Sequence, residues 1–159
     1  MIKKGEAIPS AKVYMLGDNG PVTIDAAEFL GQSHVVLFGV PGAFTPTCSL
    51  QHAPGFIADA ALLKQKGIDK IVCMSVNDAF VMDAWGRQLG SADQVVMLSD
   101  GNGLLTKVLG LELDLTKVGL GQRCKRFAMI IKDGIVERLD VEEGVEFKVS
   151  SSQAVLSAL

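Results

Sequence analysis

The 159-residue sequence predicts an α/β protein in which a central mixed β-sheet is flanked by helices on both faces, within one domain spanning residues 1–159. Three observations carry this. Apolar, β-branched runs of strand length occur at 34–40, 68–76 and 127–131, with interiors that read as buried on both faces. Helical patterns separate the earlier runs, which makes parallel pairing the consistent arrangement. Asp133-Gly134 then joins the last run to 135–141 as a tight hairpin and adds an antiparallel pair.

The remaining elements follow in order. Residues 11–15 read as a strand, with a turn at 17–20. Residues 23–30 read as a helix, opened by the acceptor side chain of Thr23 with acids in the first turn and stopped by Gly31. A helical stretch reaches to about residue 66, with Leu50, Ala53, Ile57, Ala60 and Leu63 near helical spacing; Pro54-Gly55 is expected to kink or split it. A helix over 78–88 has an Asn/Asp start, followed by a strand at 95–98 and a short helix at 102–109. Ser151 or Ser152 caps a last helix ending at Leu159.

Composition narrows the function classes. The chain is 48% apolar and 21% charged, with a net charge of −3 and no run of five or six like charges, so neither nucleic acid nor an anionic membrane is an expected partner. Its apolar stretches are too short to span a bilayer. No apolar segment follows Lys3-Lys4, so a secretory signal is not expected and a cytoplasmic location is. Cys48, Cys73 and Cys124 lie far apart, and His34 and His52 are the two histidines. That set forms neither a disulfide framework nor a zinc cluster, so no metal or cofactor is expected.

Chemistry concentrates in Val40-Pro-Gly-Ala-Phe-Thr-Pro-Thr-Cys48-Ser49. A buried strand ends, Pro41-Gly42 turns the chain, and a helix begins near Thr45-Pro46, with Pro46 suited to the first helical position. Thr45 is then the expected N-cap and Cys48 lies in the first turn, facing unpaired N–H groups and the positive end of the helix dipole. Both favour thiolate over thiol. The carboxyl end of a central strand is also where α/β sheets commonly place their sites. No Cys-x-x-Cys partner is present for disulfide exchange. His52, one helical turn on, raises the alternative of a Cys–His hydrolase, but a core-edge histidine is the preferred reading. A thiolate lacking base and partner suits an electrophile that needs little activation, such as a peroxide. Arg123, Lys125 and Arg126 are all candidates for a cation near this sulfur, with 124 and 126 sharing one strand face.

The run PGAFTPTC resembles the active-site signature of peroxiredoxins, a proline, three residues, Thr or Ser, two residues and a cysteine, carried here by Pro41, Thr45 and Cys48. The fuller segments GVPGAFTPTCS, HAPGF, SVNDAFVMDAWG and KRFAMIIKDGIV resemble the type II, peroxiredoxin-5-like branch, and the similarity runs over essentially the whole chain. The resemblance implies a thioredoxin-like fold. It also implies that Cys48 attacks a hydroperoxide and becomes a sulfenic acid, that Thr45 hydrogen-bonds the peroxide, that Pro41 limits water access, and that Arg126 stabilises the thiolate and polarises the O–O bond.

A sulfenic acid is returned to thiol by another thiol. Some members of the branch carry a resolving cysteine close to the C-terminus; this sequence has Val149-Ser-Ser-Ser152 there. Cys73 reads as core packing within IVCMSV, and Cys124 has no evident route to Cys48. The expectation is a one-cysteine cycle acting on hydrogen peroxide and small alkyl hydroperoxides, reduced by glutathione with glutaredoxin first and thioredoxin second. A homodimer is implied by the resemblance. The competing reading is a peroxide-sensing interaction protein. Arg87 is read either as a support for the site or as a surface position.

Overall fold

The structure is a computed structural model that describes every residue except Ala92. Its main sheet has seven strands: β1 (Lys12–Gly17), β2 (Gly20–Asp25), β3 (His34–Gly39), β4 (Lys70–Ser75), β5 (Val96–Ser99), β8 (Phe127–Lys132) and β9 (Ile135–Val141), in the spatial order β2-β1-β5-β4-β3-β8-β9. A separate two-stranded hairpin is formed by β6 (Glu112–Leu115) and β7 (Gly121–Cys124). β3, β4 and β5 are parallel, whereas β1, β2, β8 and β9 pair antiparallel, so the sheet is mixed as expected.

Alternation along the central strands divides the interior into two layers. Val36, Phe38, Ile71, Cys73, Ala128 and Ile130 point into one layer; Val35, Leu37, Val72, Met74, Met129 and Ile131 point into the other. The first layer is closed by α2 (Ala53–Ala58), α3 (Ala60–Gln65), α4 (Ala79–Leu89) and α6 (Ser152–Ala158), through Phe56, Leu63, Trp85 and Val155. The second is closed by α1 (Ala26–Leu30) and α5 (Leu104–Leu109), through Leu30, Leu105 and Leu109. Both faces of β3 and β4 are therefore buried, which is why their sequences carry almost no polar alternates.

Most expected elements are present, with shifted ends. The Asp133-Gly134 turn has positive φ at both residues (48° and 81°), the geometry that a two-residue hairpin of this hand requires. Asp78 and Ser151 cap α4 and α6 through side chains that accept from Val81 N and Ala154 N.

Two expectations are corrected, and one observed element answers to none. Thr23, Ile24 and Asp25 belong to β2, paired with Tyr14, Val13 and Lys12, and the cap of α1 is Asp25, accepting from Glu28 N at 3.1 Å. Cross-strand partners override the local helix-start signal there. The long helical stretch breaks at Asp59, and Pro54 sits in the first turn of α2. The chain meets that proline through a wide π-helical turn, Cys48–His52, in which Ala53 N donates to Cys48 O five residues back. Such a turn lets the helix continue past a residue that has no N–H to donate. Finally, the β6–β7 hairpin matches no expected element, because four residues of alternation are too short a signal.

The topology gathers three separate segments at one end of the sheet. β3 runs toward Val40 and the Pro41 turn. β8 runs against it, so Phe127 pairs with Gly39 and Arg126 lies just beyond, at the same end. β9 returns antiparallel to β8, pairing Val141 with Phe127, which brings Glu142 there too. Gly39 is required at this crossing, since a Cβ on it would come within 2.1 Å of the Phe127 ring.

Candidate active site

The site is assembled around Cys48 Sγ. After β3 the chain turns through 41–45, with Phe44 in the left-handed region at φ 63°, a conformation that costs a non-glycine residue on the order of 1 kcal/mol or more. Ala43 N donates to Asn77 Oδ1 at 3.0 Å, and Asn77 follows β4. Ser75 Oγ donates to the same oxygen at 2.6 Å, while Ser99 Oγ donates to the Asn77 carbonyl. The turn is thus tied to the ends of β4 and β5.

A short helical turn opens at Pro46 and passes into the π turn at Cys48. Thr45 does not cap it with its side chain as expected. Its hydroxyl donates to Gly42 O at 2.7 Å, inside the preceding turn, and its carbonyl accepts from Ser49 N at 2.9 Å. A hydroxyl has one proton to give, so its lone pairs remain available beside the sulfur's segment. Pro41 opens the turn, and its carbonyl accepts from Arg123 Nη1 at 3.3 Å.

Cys48 is wholly buried. Arg126 Nη2 donates to its sulfur at 3.2 Å across 78 residues of sequence. Of the three basic candidates, Arg126 is the one that reaches Cys48. Arg123 spends Nε on Leu120 O and Nη1 on Pro41 O. Arg87 is on the surface and pairs with Asp83 at 2.9 Å.

His52 is not at the edge of the core. It is wholly buried, with Nδ1 3.0 Å from Arg126 Nη1 and Nε2 2.8 Å from Ser150 O. Both ring nitrogens are therefore occupied, which leaves none to act as a base for Cys48 and removes the hydrolase pairing. Burial, reinforced by the charge of Arg126, holds the imidazole far below its ordinary value, at about 3.

Behind this pair, Glu142 is a buried carboxylate wrapped by its own downstream chain. Lys148 N, Val149 N, Ser150 N and Ser150 Oγ all donate to it at 2.7–2.9 Å. Burial opposes its ionisation, but the Ser150 hydroxyl and the three backbone donors outweigh that and leave the carboxyl below its usual range. Asn77, Glu142 and Ser150 were not singled out from the sequence. Asn77 alone carried a usable signal, a polar residue directly after a buried strand.

The other two cysteines are also wholly buried but, among the described residues, meet no cation at hydrogen-bond distance. Burial pushes the Cys73 thiol well up, and burial with the nearby Asp100 does the same for Cys124, whose Sγ donates to Val40 O at 3.1 Å. Among the described residues no cluster of three or more His, Cys, Asp or Glu could hold a metal ion, and no helix is long and apolar enough to cross a membrane.

The Redoxin family profile matches residues 3–156. Peroxiredoxin-2D of Arabidopsis thaliana is 46% identical, over 99% of this chain and 98% of that protein. The chloroplastic Peroxiredoxin-2E of the same plant is 48% identical, over 99% of this chain and 69% of its own length. The crystal structure of reduced Prx3 from Vibrio vulnificus in complex with hydrogen peroxide has a TM-score of 0.95 at 46% identity, covering 99% of each chain. With its thioredoxin-like sheet, a cysteine under an arginine at the sheet's carboxyl end and these relatives along its whole length, the chain belongs to the Redoxin family as a peroxiredoxin of the type II, peroxiredoxin-5-like branch, a thiol-dependent peroxidase.

Proposed function

We propose that Cys48 is the sulfur that reduces hydrogen peroxide and small alkyl hydroperoxides, and that an external thiol resets it, glutathione with glutaredoxin first and thioredoxin second. The observation that carries this reading is the 3.2 Å contact between Arg126 Nη2 and Cys48 Sγ at the start of a helical turn. The peroxide complex of the Vibrio vulnificus relative supports hydrogen peroxide as a substrate. The complete burial of Cys48 supports small substrates over bulky ones.

In this mechanism the Cys48 thiolate attacks the terminal oxygen of the hydroperoxide. An S–O bond forms as the O–O bond breaks, the alkoxide or hydroxide leaves and takes a proton, and Cys48 becomes a sulfenic acid, oxidised by two electrons. Arg126 donates where negative charge moves from sulfur to the leaving oxygen, and preorganised donors at such a point are commonly the largest single contribution to rate. The Thr45 hydroxyl is the second donor once it turns from Gly42 O toward substrate. Pro41 caps the turn and restricts water. A first thiol then attacks the sulfenic sulfur, expelling water to leave a mixed disulfide, and a second thiol releases Cys48 and the disulfide product.

The raised thiols of Cys73 and Cys124, both buried, support a resolving thiol from another molecule. The exposed Phe44 and Leu50, to either side of Cys48 in sequence, support a second copy of the chain covering this face, which the mass in solution tests. Peroxide consumption with parallel glutaredoxin/glutathione and thioredoxin systems tests the cycle. Turnover is expected in the Cys73→Ser/Cys124→Ser protein and absent in Cys48→Ser. Activity retained by Cys48→Ser overturns the reacting sulfur, and loss in the double serine protein overturns the external reductant.

A further inference from the structure

We infer that His52 is a positioning residue for peroxide reduction, its neutral ring accepting a hydrogen bond that fixes the Arg126 guanidinium against Cys48. This rests on Cys48 being the reacting sulfur.

The partners on either side of the ring dictate its tautomer. A guanidinium has donors only, so Nδ1, 3.0 Å from Arg126 Nη1, is the bare acceptor. A carbonyl has no proton, so Nε2, 2.8 Å from Ser150 O, carries the hydrogen. Protonating Nδ1 would set an N–H against an arginine N–H within a buried site, and the depressed basicity of His52 agrees with that geometry. The ring is also held by its packing, with centroids 5.0 Å from Phe38, 5.6 Å from Phe56 and 5.1 Å from Phe147.

Arg126 needs this partner. It is buried, and its Nε has no hydrogen-bond partner among the described residues. Its anchored contacts are His52 through Nη1 and Cys48 through Nη2, with the Phe147 ring 6.0 Å from Cζ. Because the guanidinium is planar and rigid, fixing Nη1 aims Nη2. Without the acceptor, a second buried N–H is orphaned and the side chain is driven to seek another partner, away from the sulfur.

The far end of the relay is built in as well. The Ser150 carbonyl stands where it does because residues 148–150 are wound around the Glu142 carboxylate. Glu142 N in turn donates to Arg126 O at 2.9 Å, so one residue anchors both the arginine's backbone and the loop that orients its histidine.

The test is the second-order rate of Cys48 oxidation by hydrogen peroxide in single turnover. It is followed by stopped flow through Trp85, the sole tryptophan, whose indole donates to Ser49 Oγ at 2.9 Å, and by quenched mass analysis of the sulfenic acid. His52→Leu removes both ring contacts and is expected to slow oxidation on the order of 10- to 100-fold. His52→Asn, which keeps an acceptor near the Nδ1 position, recovers most of the rate. His52→Gln, which can keep only the donor toward Ser150, stays slow. In an Arg126→Gln background His52→Leu has no further effect, because the histidine acts through the arginine. A folded His52→Leu protein that oxidises at the wild-type rate, equal rates for the Asn and Gln variants, or an undiminished His52→Leu effect without Arg126 each overturns the inference. Wild-type protein whose Cys48 does not react with peroxide would instead overturn the functional reading beneath it.

Discussion

Cys48 and Cys73 lie in the same apolar layer and are equally buried, yet their surroundings differ in kind. Cys48 sits where a strand gives way to a helical turn, with a guanidinium N–H on its sulfur. Cys73 lies mid-strand in β4, paired with Phe38 on one side and Met97 on the other, where burial pushes its thiol up. Burial by itself therefore says nothing about which cysteine reacts. Position on the backbone decides it: a strand interior spends its polar groups on its neighbours, while the end of a sheet leaves room for a side chain from another strand to deliver charge.

The largest expected effect tests that contrast directly. Cys48→Ser abolishes peroxide consumption, whereas Cys73→Ser keeps the rate within about twofold but lowers stability by roughly 1–3 kcal/mol, since a hydroxyl replaces a thiol in apolar surroundings. Peroxide consumption and urea denaturation on the two variants measure this, and an inactive but folded Cys73→Ser protein would break the comparison. Next in size, Arg126→Gln removes the charge at Cys48 and is expected to slow oxidation by about 10²–10³-fold with little change in fold; stopped-flow oxidation checks it.

A smaller effect belongs to the scaffold of the turn. Asn77→Ala strips the acceptor shared by Ala43 N and Ser75 Oγ, so the expected outcome is a loss of roughly 1–3 kcal/mol and about a tenfold slower oxidation. Both are read from denaturation and single-turnover rates on the same preparation.

The last prediction concerns pH. An unfolded histidine takes up a proton as pH falls through about 6.5, but native His52 does not until about 3, because of burial and the Arg126 charge. The unfolded state binds the extra proton, so stability is complete above about 6.5 and falls toward about 3, by up to about 1.4 kcal/mol per pH unit. Glu142, depressed below its usual value, adds a loss of the same sign at the acidic end. Urea denaturation between pH 7 and pH 4.5 should show this slope, and His52→Asn should flatten it.

Much of the fold was readable because its signals are local. The cap of α4 is Asp78 accepting from a residue three positions on, the last hairpin needs only Asp133-Gly134, and the central strands announce themselves by apolar runs. The sequence by itself determined that Cys48 begins a helical turn after a buried strand, because Pro46 and the preceding run are neighbours in the chain. Only the tertiary structure decided what that sulfur meets. Arg126 is 78 residues away from it, His52 is 98 residues from Ser150, and Thr23 to Asp25 become a strand through partners in β1. These contacts follow from β8 beginning and β9 ending where β3 ends, and no local pattern encodes that meeting. The same distance hid the role of His52: one helical turn from Cys48 in sequence, it faces an arginine and a carbonyl brought in by the far end of the chain.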